Sequence, residues 1–291
     1  MRWLIYGLSC VLIVGSAIIV GSVFFLFKYG KGLPEYGQLA DYKPSVVTRV
    51  HGGDGRLLAE YAKERRVFVP VEVMPKLLIK AFLSSEDKNF YSHQGIDVKS
   101  LLSAAFDNLI NLTSGRRPRG ASTITQQVAK NFLLTNEVSI ERKIKEAILA
   151  FRIEKALSKN RILELYLNEI YLGFGSYGVA AAALNYFDKS LDELSVAEVA
   201  YLAALPKAPN NYHPVRKKKA ALARRNWVIQ QMHKNGFISN NTMTKEQLTP
   251  LEIKPASKTE FVDAKYFSEE VRRQLISRYG LDRVYRGGLS V

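Results

Sequence analysis

Residues 85–95 read Ser85-Glu86-Asp87-Lys88-Asn89-Phe90-Tyr91-Ser92-His93-Gln94-Gly95 and follow a segment, 75–83, that predicts a helix with proline in its first turn. At helical spacing Leu78, Phe82 and Glu86 share one face, so Glu86 extends an apolar stripe to the helix end. Burial raises the pKa of a carboxyl group toward the range that suits a general base. Glu86 is therefore a candidate base, with an ordinary exposed helix terminus as the alternative.

Composition limits the kinds of protein that this chain can be. Its 291 residues are 47% hydrophobic, enough for a sizeable core in one or two domains. The formal net charge of +15 favours an anionic partner, such as nucleic acid, an acidic membrane surface or a phosphorylated substrate. Cys10 is the only cysteine and the four histidines are scattered, which excludes an internal disulfide and predicts no zinc site.

The N-terminal stretch from Trp3 to Phe27 contains no charged residue. It is long enough to cross the roughly 30 Å hydrocarbon core of a bilayer as a helix, and aromatic residues stand at both of its ends. We favour an uncleaved transmembrane helix within residues 1–30, with a cleaved signal peptide as the alternative. The flanking charges do not decide its orientation. Residues 31–44 then read as a juxtamembrane linker.

The segment after the linker predicts a small β-hairpin, and helices follow it. Val46–Val50 and Leu57–Tyr61 flank a glycine-rich turn, and Arg65–Val69 could add a third strand. Asp97 can cap a helix running to about Leu109. Residues 111–120 form a basic loop rich in glycine and arginine, which is either a substrate gate or a solvated surface loop.

Two further helices carry polar groups that could bind an anion. Thr123 and Gln126 fit a capping box at the start of one helix, and a helix N-terminus can bind an anion. Ser139 caps the next, whose predicted apolar stripe is Ile140, Ile144, Ala147, Ile148 and Phe151. Arg142, Lys143 and Glu146 stand off that stripe. They are either a surface salt bridge or two cations directed at phosphate and ordered by Glu146.

The last third of the sequence predicts more helices. A helix over 159–171 ends at a glycine-rich turn, and Ser195 opens another helix with a capping box, which Pro206 ends. The basic residues of the helix that follows predict a solvated face or a surface for anionic lipid: Arg216, Lys217, Lys218, Lys219, Arg224 and Arg225. Beyond Pro250 the pattern weakens.

Four motifs in order resemble the peptidoglycan glycosyltransferase family, the transglycosylase module of class A penicillin-binding proteins and of monofunctional glycan polymerases. Residues 86–95 are similar to E-D-x-x-F-x-x-H-x-G, and 120–127 to G-x-S-T-I-T-Q-Q. Residues 142–146 are similar to R-K-x-x-E, and 162–173 to I-L-x-x-Y-L-N-x-x-Y-x-G. One such match is weak, but four in the family's order are specific.

The resemblance implies a mainly α, lysozyme-like bilobal domain over 45–250, with a small N-terminal β-hairpin region and one N-terminal transmembrane helix. Residues 251–291 resemble the linker toward an acyl-transfer module, so either a truncated bifunctional enzyme or a monofunctional polymerase is implied. The resemblance also implies that Glu86 and Glu146 are catalytic. The implied substrate-binding residues are Asp87, His93, Ser122, Thr123, Gln126, Gln127, Lys130, Asn131, Arg142, Lys143, Asn168 and Tyr171.

The implied activity is polymerisation of lipid II into glycan strands on the outer face of the bacterial cytoplasmic membrane. The chemistry needs a base for the sugar hydroxyl and cations for the leaving diphosphate, and no strong general acid. No cofactor is expected to be required, although a divalent metal, Mg or Mn, stays open as an aid to diphosphate binding. The expected partners are lipid II, the growing strand, membrane lipids and other cell-wall synthesis proteins.

Two other functional classes remain as alternatives. A lysozyme-like lytic enzyme would share the fold and a catalytic glutamate but would not need cations for a diphosphate. A membrane-anchored binding protein could use the net charge on nucleic acid, yet the sequence has no recognition-helix signature, and we expect no nucleic-acid partner. The only S-x-x-K, Ser85–Lys88, lies inside the first motif, and no K-T-G follows it, so we expect no transpeptidase activity in this chain.

Overall fold

The computed structural model describes most of the chain from residue 67 onward. The described residues are 67–114, 120–134, 139–254 and 265–291, with 28–30, 32–39, 48–54, 57–61 and the single positions 6, 16, 21, 42 and 137. The predicted transmembrane helix therefore lies outside the described residues, apart from three isolated positions and residues 28–30. Within the described part, no helix combines the length and apolar character that crossing a bilayer requires.

Helices make up most of the described structure, which confirms the predicted mainly α class. The lysozyme-like, bilobal arrangement stays a prediction. The helices, numbered in chain order, are α1 (Lys76–Glu86), α2 (Val98–Ser114), α3 (Ile124–Leu133), α4 (Ile140–Ala156), α5 (Lys159–Glu169), α6 (Val179–Phe187), α7 (Val196–Ala204), α8 (Lys218–Lys234), α9 (Asn240–Leu248), α10 (Lys265–Tyr279) and α11 (Leu281–Arg286).

Two strands form the predicted hairpin. β1 (Thr48–His51) and β2 (Leu57–Tyr61) pair antiparallel, with an irregularity between Val50 and His51. The prediction of a third strand at 65–69 is wrong for residues 67–69, which form no strand, whereas 65 and 66 lie outside the described part. The hairpin instead packs with α10 and α11 around a small core of Val50, Leu275 and Val284.

The main core includes most of α5. Its residues 162–168 are all buried, and α3 and α4 pack on it. α1 packs against α7 and α8. Leu78 and Phe82 of α1 are fully buried, as the predicted stripe requires. Because Glu86 is the last residue of α1, this packing brings its side chain to the junction between α1, α3 and α8.

The structure corrects two helix predictions. α2 continues to Ser114, so the predicted loop over 111–120 begins later, and residues 115–119 lie outside the described part. The apolar stripe predicted for α4 is wrong, because Ile140 and Phe151 are exposed. The face that α4 buries carries instead Glu146, Leu149, Ala150 and Ile153. A charged side chain thus occupies a position in the buried face of this helix.

Candidate active site

Glu86 lies at the end of α1 with its side chain only 12% exposed. Its Oε2 accepts a hydrogen bond of 2.9 Å from Nε2 of Gln127 on α3. The hydroxyl of Tyr166, on α5, approaches Oε1 of Gln127 to 3.5 Å. Burial raises the pKa of the Glu86 carboxyl, against the opposing effects of the Gln127 hydrogen bond and of the cations Arg224 and Lys207. A poised base requires such an environment.

Asp87 joins the first motif to the second. Its carboxylate pairs with Nε2 of His93 at 3.0 Å, and its Oδ2 accepts a hydrogen bond from the backbone N–H of Ile124 at 2.9 Å. The hydroxyl of Thr123 donates to the carbonyl of Gly95 at 2.6 Å. The buried Asp87 carboxylate thus satisfies an N–H at the start of α3. Asp87 and His93, predicted to bind substrate, hold the site together in the structure.

The capping box predicted at the start of α3 is present. Thr123 accepts a hydrogen bond from the Gln126 N–H, and the Gln126 side chain accepts one from the Thr123 N–H. Since both side chains are buried and occupied by the cap, they fix the first turn of α3. The fixed first turn of α3 directs the Gln127 side chain toward Glu86.

A second group of predicted residues meets the first at the start of α3. The Glu146 side chain is only 1% exposed and lies between two cations of its own helix. Its Oε1 is 3.2 Å from Nε of Arg142, and its Oε2 is 2.5 Å from Nζ of Lys143. The Lys143 ammonium also donates to the hydroxyl of Ser122 at 2.8 Å. Half of the Lys143 side chain remains exposed, so the ammonium is accessible to an anion.

The remaining predicted residues contribute differently. Lys130 and Asn131 are exposed on α3, one turn beyond Gln127. Asn168 is buried, and its amide bonds the backbone N–H and carbonyl of Val69, at 2.9 Å and 2.8 Å. Tyr171 contacts Tyr177 through tilted rings whose centroids are 5.0 Å apart. The described contacts join neither Asn168 nor Tyr171 to Glu86 or Glu146.

Sequence reasoning missed the cations that approach Glu86 from the opposite side. Arg224, on α8, places Nη2 4.0 Å from Oε1 of Glu86, and its side chain is 11% exposed. Lys207, after α7, also acts electrostatically on Glu86. Arg225 is fully buried and donates to the carbonyls of Gln247 and Thr249. The prediction that Arg224 and Arg225 belong to a solvated or lipid-facing surface is therefore wrong.

The described residues contain no group of three or more histidine, cysteine, aspartate or glutamate side chains placed to hold a metal ion. The charge available for a diphosphate among the predicted residues comes from Arg142, Lys143 and Lys130. A divalent metal as an aid to diphosphate binding therefore stays an open prediction.

A sequence model of the transglycosylase family matches residues 54–233, well over half of the chain. The chain belongs to the transglycosylase family. This match confirms the resemblance carried by the four motifs, and with it the predicted enzyme class, a peptidoglycan glycosyltransferase. All four motifs lie inside the matched range, as do Glu86, Gln127, Glu146 and Arg224.

Curated relatives agree with the family match. Penicillin-binding protein 1A of Rickettsia prowazekii is 48% identical over 97% of this chain and 36% of its own length. The proteins of the same name from Aquifex aeolicus and Escherichia coli are 41% and 39% identical, over 39% and 33% of their lengths. The chain thus spans little more than a third of these relatives. The crystal structure of penicillin-binding protein 1A from Haemophilus influenzae matches 86% of the chain with 28% identity and a TM-score of 0.49.

Proposed function

We propose that this transglycosylase polymerises lipid II, with Glu86 as the general base. Glu86 takes the proton from the 4-hydroxyl of the GlcNAc of an acceptor lipid II. That oxygen forms a bond to C1 of the terminal MurNAc of the growing strand, with inversion. The bond from C1 to the diphosphate oxygen breaks, and its electron pair leaves with undecaprenyl diphosphate. The observation that supports this proposal most directly is a carboxylate that is only 12% exposed and whose Oε2 accepts a hydrogen bond from Gln127 at 2.9 Å.

The leaving group needs positive charge, and α4 supplies it. Arg142 and Lys143 are held by the buried Glu146, and Lys143 reaches Ser122 at the start of α3. A diphosphate bound there would meet these cations together with Lys130 on α3. Charge-assisted hydrogen bonds of this kind are about twice as strong as neutral ones. Glu146 acts in this proposal by ordering the cations, since both of its oxygens face them.

The proposed location is the outer face of the bacterial cytoplasmic membrane, where the lipid-linked substrate resides. α2 supports membrane contact, because it exposes a set of large apolar side chains: Val98, Leu101, Leu102, Phe106 and Leu109. An exposed apolar surface of this kind marks an interaction site, and lipid suits its composition. Membrane lipids and other cell-wall synthesis proteins are the proposed partners.

The proposed glycosyltransferase domain covers 45–250, with 1–30 as anchor, 31–44 as linker and 251–291 as a segment leading toward a further module. We do not propose transpeptidation by residues 1–291. Ser85, the first residue of the only S-x-x-K, donates its hydroxyl to the carbonyls of Phe82 and Ala203, which suits a structural role.

The test is an assay of the purified chain on lipid II and, separately, on finished glycan. We expect lipid II to be converted into long strands with release of undecaprenyl diphosphate, inhibition by moenomycin, and no cleavage of finished glycan. The Glu86→Gln variant is the control for background activity. Cleavage of finished glycan without lengthening of lipid II would instead identify a lytic enzyme and overturn the proposal.

A further inference from the structure

Arg224 stands opposite Gln127 across the Glu86 carboxylate. Gln127 donates a hydrogen bond to Oε2 at 2.9 Å, whereas Nη2 of Arg224 stops 4.0 Å from Oε1. The second contact is at the limit of an ion pair and is too long for a hydrogen bond. The two oxygens of Glu86 therefore have different environments. Oε2 accepts the Gln127 hydrogen bond, whereas Oε1 faces the Arg224 guanidinium and accepts no hydrogen bond from the described residues.

Trp227 holds the Arg224 guanidinium at that distance. The two residues are three apart on α8 and share a face, and the guanidinium carbon lies 3.9 Å from the centroid of a Trp227 ring. The Nε of Arg224 is buried and has no hydrogen-bond partner among the described residues. Stacking on Trp227 thus takes the place of hydrogen bonds in fixing the guanidinium plane.

We infer that Arg224 is a positioning residue for Glu86. It is a cation near enough to favour the ionised carboxylate, yet too far away to occupy the oxygen that accepts the proton. A direct hydrogen bond from the guanidinium to Oε1 would block the base. An opposite charge at 4–6 Å lowers a carboxyl pKa without that cost. This inference rests on the proposed role of Glu86 as the base.

Other groups also act on Glu86 and set the background for the effect of Arg224. Burial raises its pKa, and the neighbouring Asp87 carboxylate raises it further. Lys207 and the Gln127 hydrogen bond lower it. Tyr166 approaches from α5, and burial keeps the pKa of its hydroxyl well above the ordinary value, so Tyr166 stays neutral. Arg224 is the charge that α8 contributes to this set.

The test is the pH dependence of kcat/KM for lipid II polymerisation in the Arg224→Gln variant. The base must be ionised, so activity is lost as the pH falls through the pKa of Glu86. Without the cation this pKa rises. We therefore expect the acid limb of the kcat/KM profile to move to higher pH by about 1 unit. Activity would fall roughly tenfold below the limb and recover on the high-pH plateau. Arg224→Lys should restore part of the shift because it keeps the charge.

Lys219→Gln is the matched control, since Lys219 is exposed on the same helix and the variant loses the same charge. It should leave the acid limb in place. Trp227→Ala should move the acid limb of the pH profile upward as well, but by a smaller amount. If Arg224→Gln does not fold, the pH profile of Trp227→Ala tests the inference instead. An unmoved limb in the folded variant, or an equal loss of activity at every pH, would overturn the inference. Near-normal polymerisation by Glu86→Gln would instead overturn the proposed function.

Discussion

Two glutamates with little solvent exposure, Glu86 at the end of α1 and Glu146 within α4, differ in how closely cations approach them. Glu146 has a cation on each oxygen, Arg142 at 3.2 Å and Lys143 at 2.5 Å. Glu86 has a neutral amide on one oxygen and an arginine 4.0 Å from the other. The first carboxylate is a counter-ion: its Oε2 accepts a hydrogen bond from Lys143, and its Oε1 lies beside Arg142 without a hydrogen bond. The second keeps an oxygen for a proton, and burial raises its pKa.

The comparison of Glu86 with Glu146 shows that residue type alone does not determine the role of a carboxylate in this site. Both glutamates were predicted to be catalytic from the sequence motifs. Their partners separate them, because Glu146 lies between Arg142 and Lys143, whereas Glu86 accepts a hydrogen bond from the neutral amide of Gln127 and burial raises its pKa. Only Glu86 therefore suits proton transfer, and Glu146 suits the ordering of Arg142 and Lys143.

Exchanging each glutamate for glutamine tests this comparison most strongly. Glu86→Gln removes the base, and we expect kcat for lipid II polymerisation to fall by about 10²- to 10⁴-fold, the usual contribution of general base catalysis. Glu146→Gln should keep most of kcat and raise KM by about tenfold, because the cations lose their anchor. Steady-state kinetics on both variants measure whether each substitution acts on kcat or on KM, and circular dichroism is the folding control. Equal losses in kcat would end the distinction.

Lys143→Met tests the role of the cations around Glu146. Loss of a charge-assisted contact to the diphosphate should lower kcat/KM by about 10- to 100-fold. Lys145→Met is the matched control, because Lys145 is on the same helix but pairs with the exposed Glu141 at 2.7 Å. Its effect should stay within about twofold, as expected for a surface ion pair. Similar losses in both variants would mean that general charge, and not Lys143, attracts the substrate.

Gln127→Ala tests the neutral partner of Glu86. The amide hydrogen bond lowers the pKa of Glu86 against the effect of burial. Its removal should raise that pKa and shift the acid limb of kcat/KM upward by about 1 pH unit. Gln126→Ala, which loses only its side of the capping box, serves as the comparison. A limb that moves as far in Gln126→Ala would point to displacement of α3 as the cause.

Asp97 adds a third carboxylate, whose expected effect is on stability alone. Burial acts against ionisation, but hydrogen bonds from Ser100 and Asn89 outweigh it and lower the pKa of Asp97 to about 2. Its stabilising effect is therefore complete above the unfolded pKa and is lost as the pH falls through about 2. Asp97→Asn should remove roughly 1 kcal/mol near neutral pH. The difference in melting temperature between the two proteins should be smaller at pH 2.5 than at pH 6, because part of the effect is already lost above the folded pKa of about 2.

Local sequence signals predicted the elements that depend on neighbours along the chain. The start of α1 after Pro75, the Thr123–Gln126 capping box and the burial of Leu78 and Phe82 all follow from spacing and side-chain chemistry. Such features need only a few adjacent residues, and the structure reproduces them.

Contacts between distant segments could not be predicted in the same way. Arg224 and Glu86 are far apart in sequence, and a charge on a basic helix is more often solvated than buried. The stripe predicted for α4 failed because apolar periodicity alone placed Phe151 inward, whereas the helix buries Glu146 with its two cations. Only the neighbouring elements determine which face of a helix is covered.

The apolar side chains exposed along α2 have a practical consequence for the purified protein. In dilute aqueous buffer this helix would favour self-association, since nothing in the described structure shields residues such as Phe106 from water. Detergent micelles or nanodiscs would cover it, so the apparent turnover should depend on detergent concentration. Kinetic constants for variants of this enzyme are therefore comparable only at a fixed ratio of protein to amphiphile.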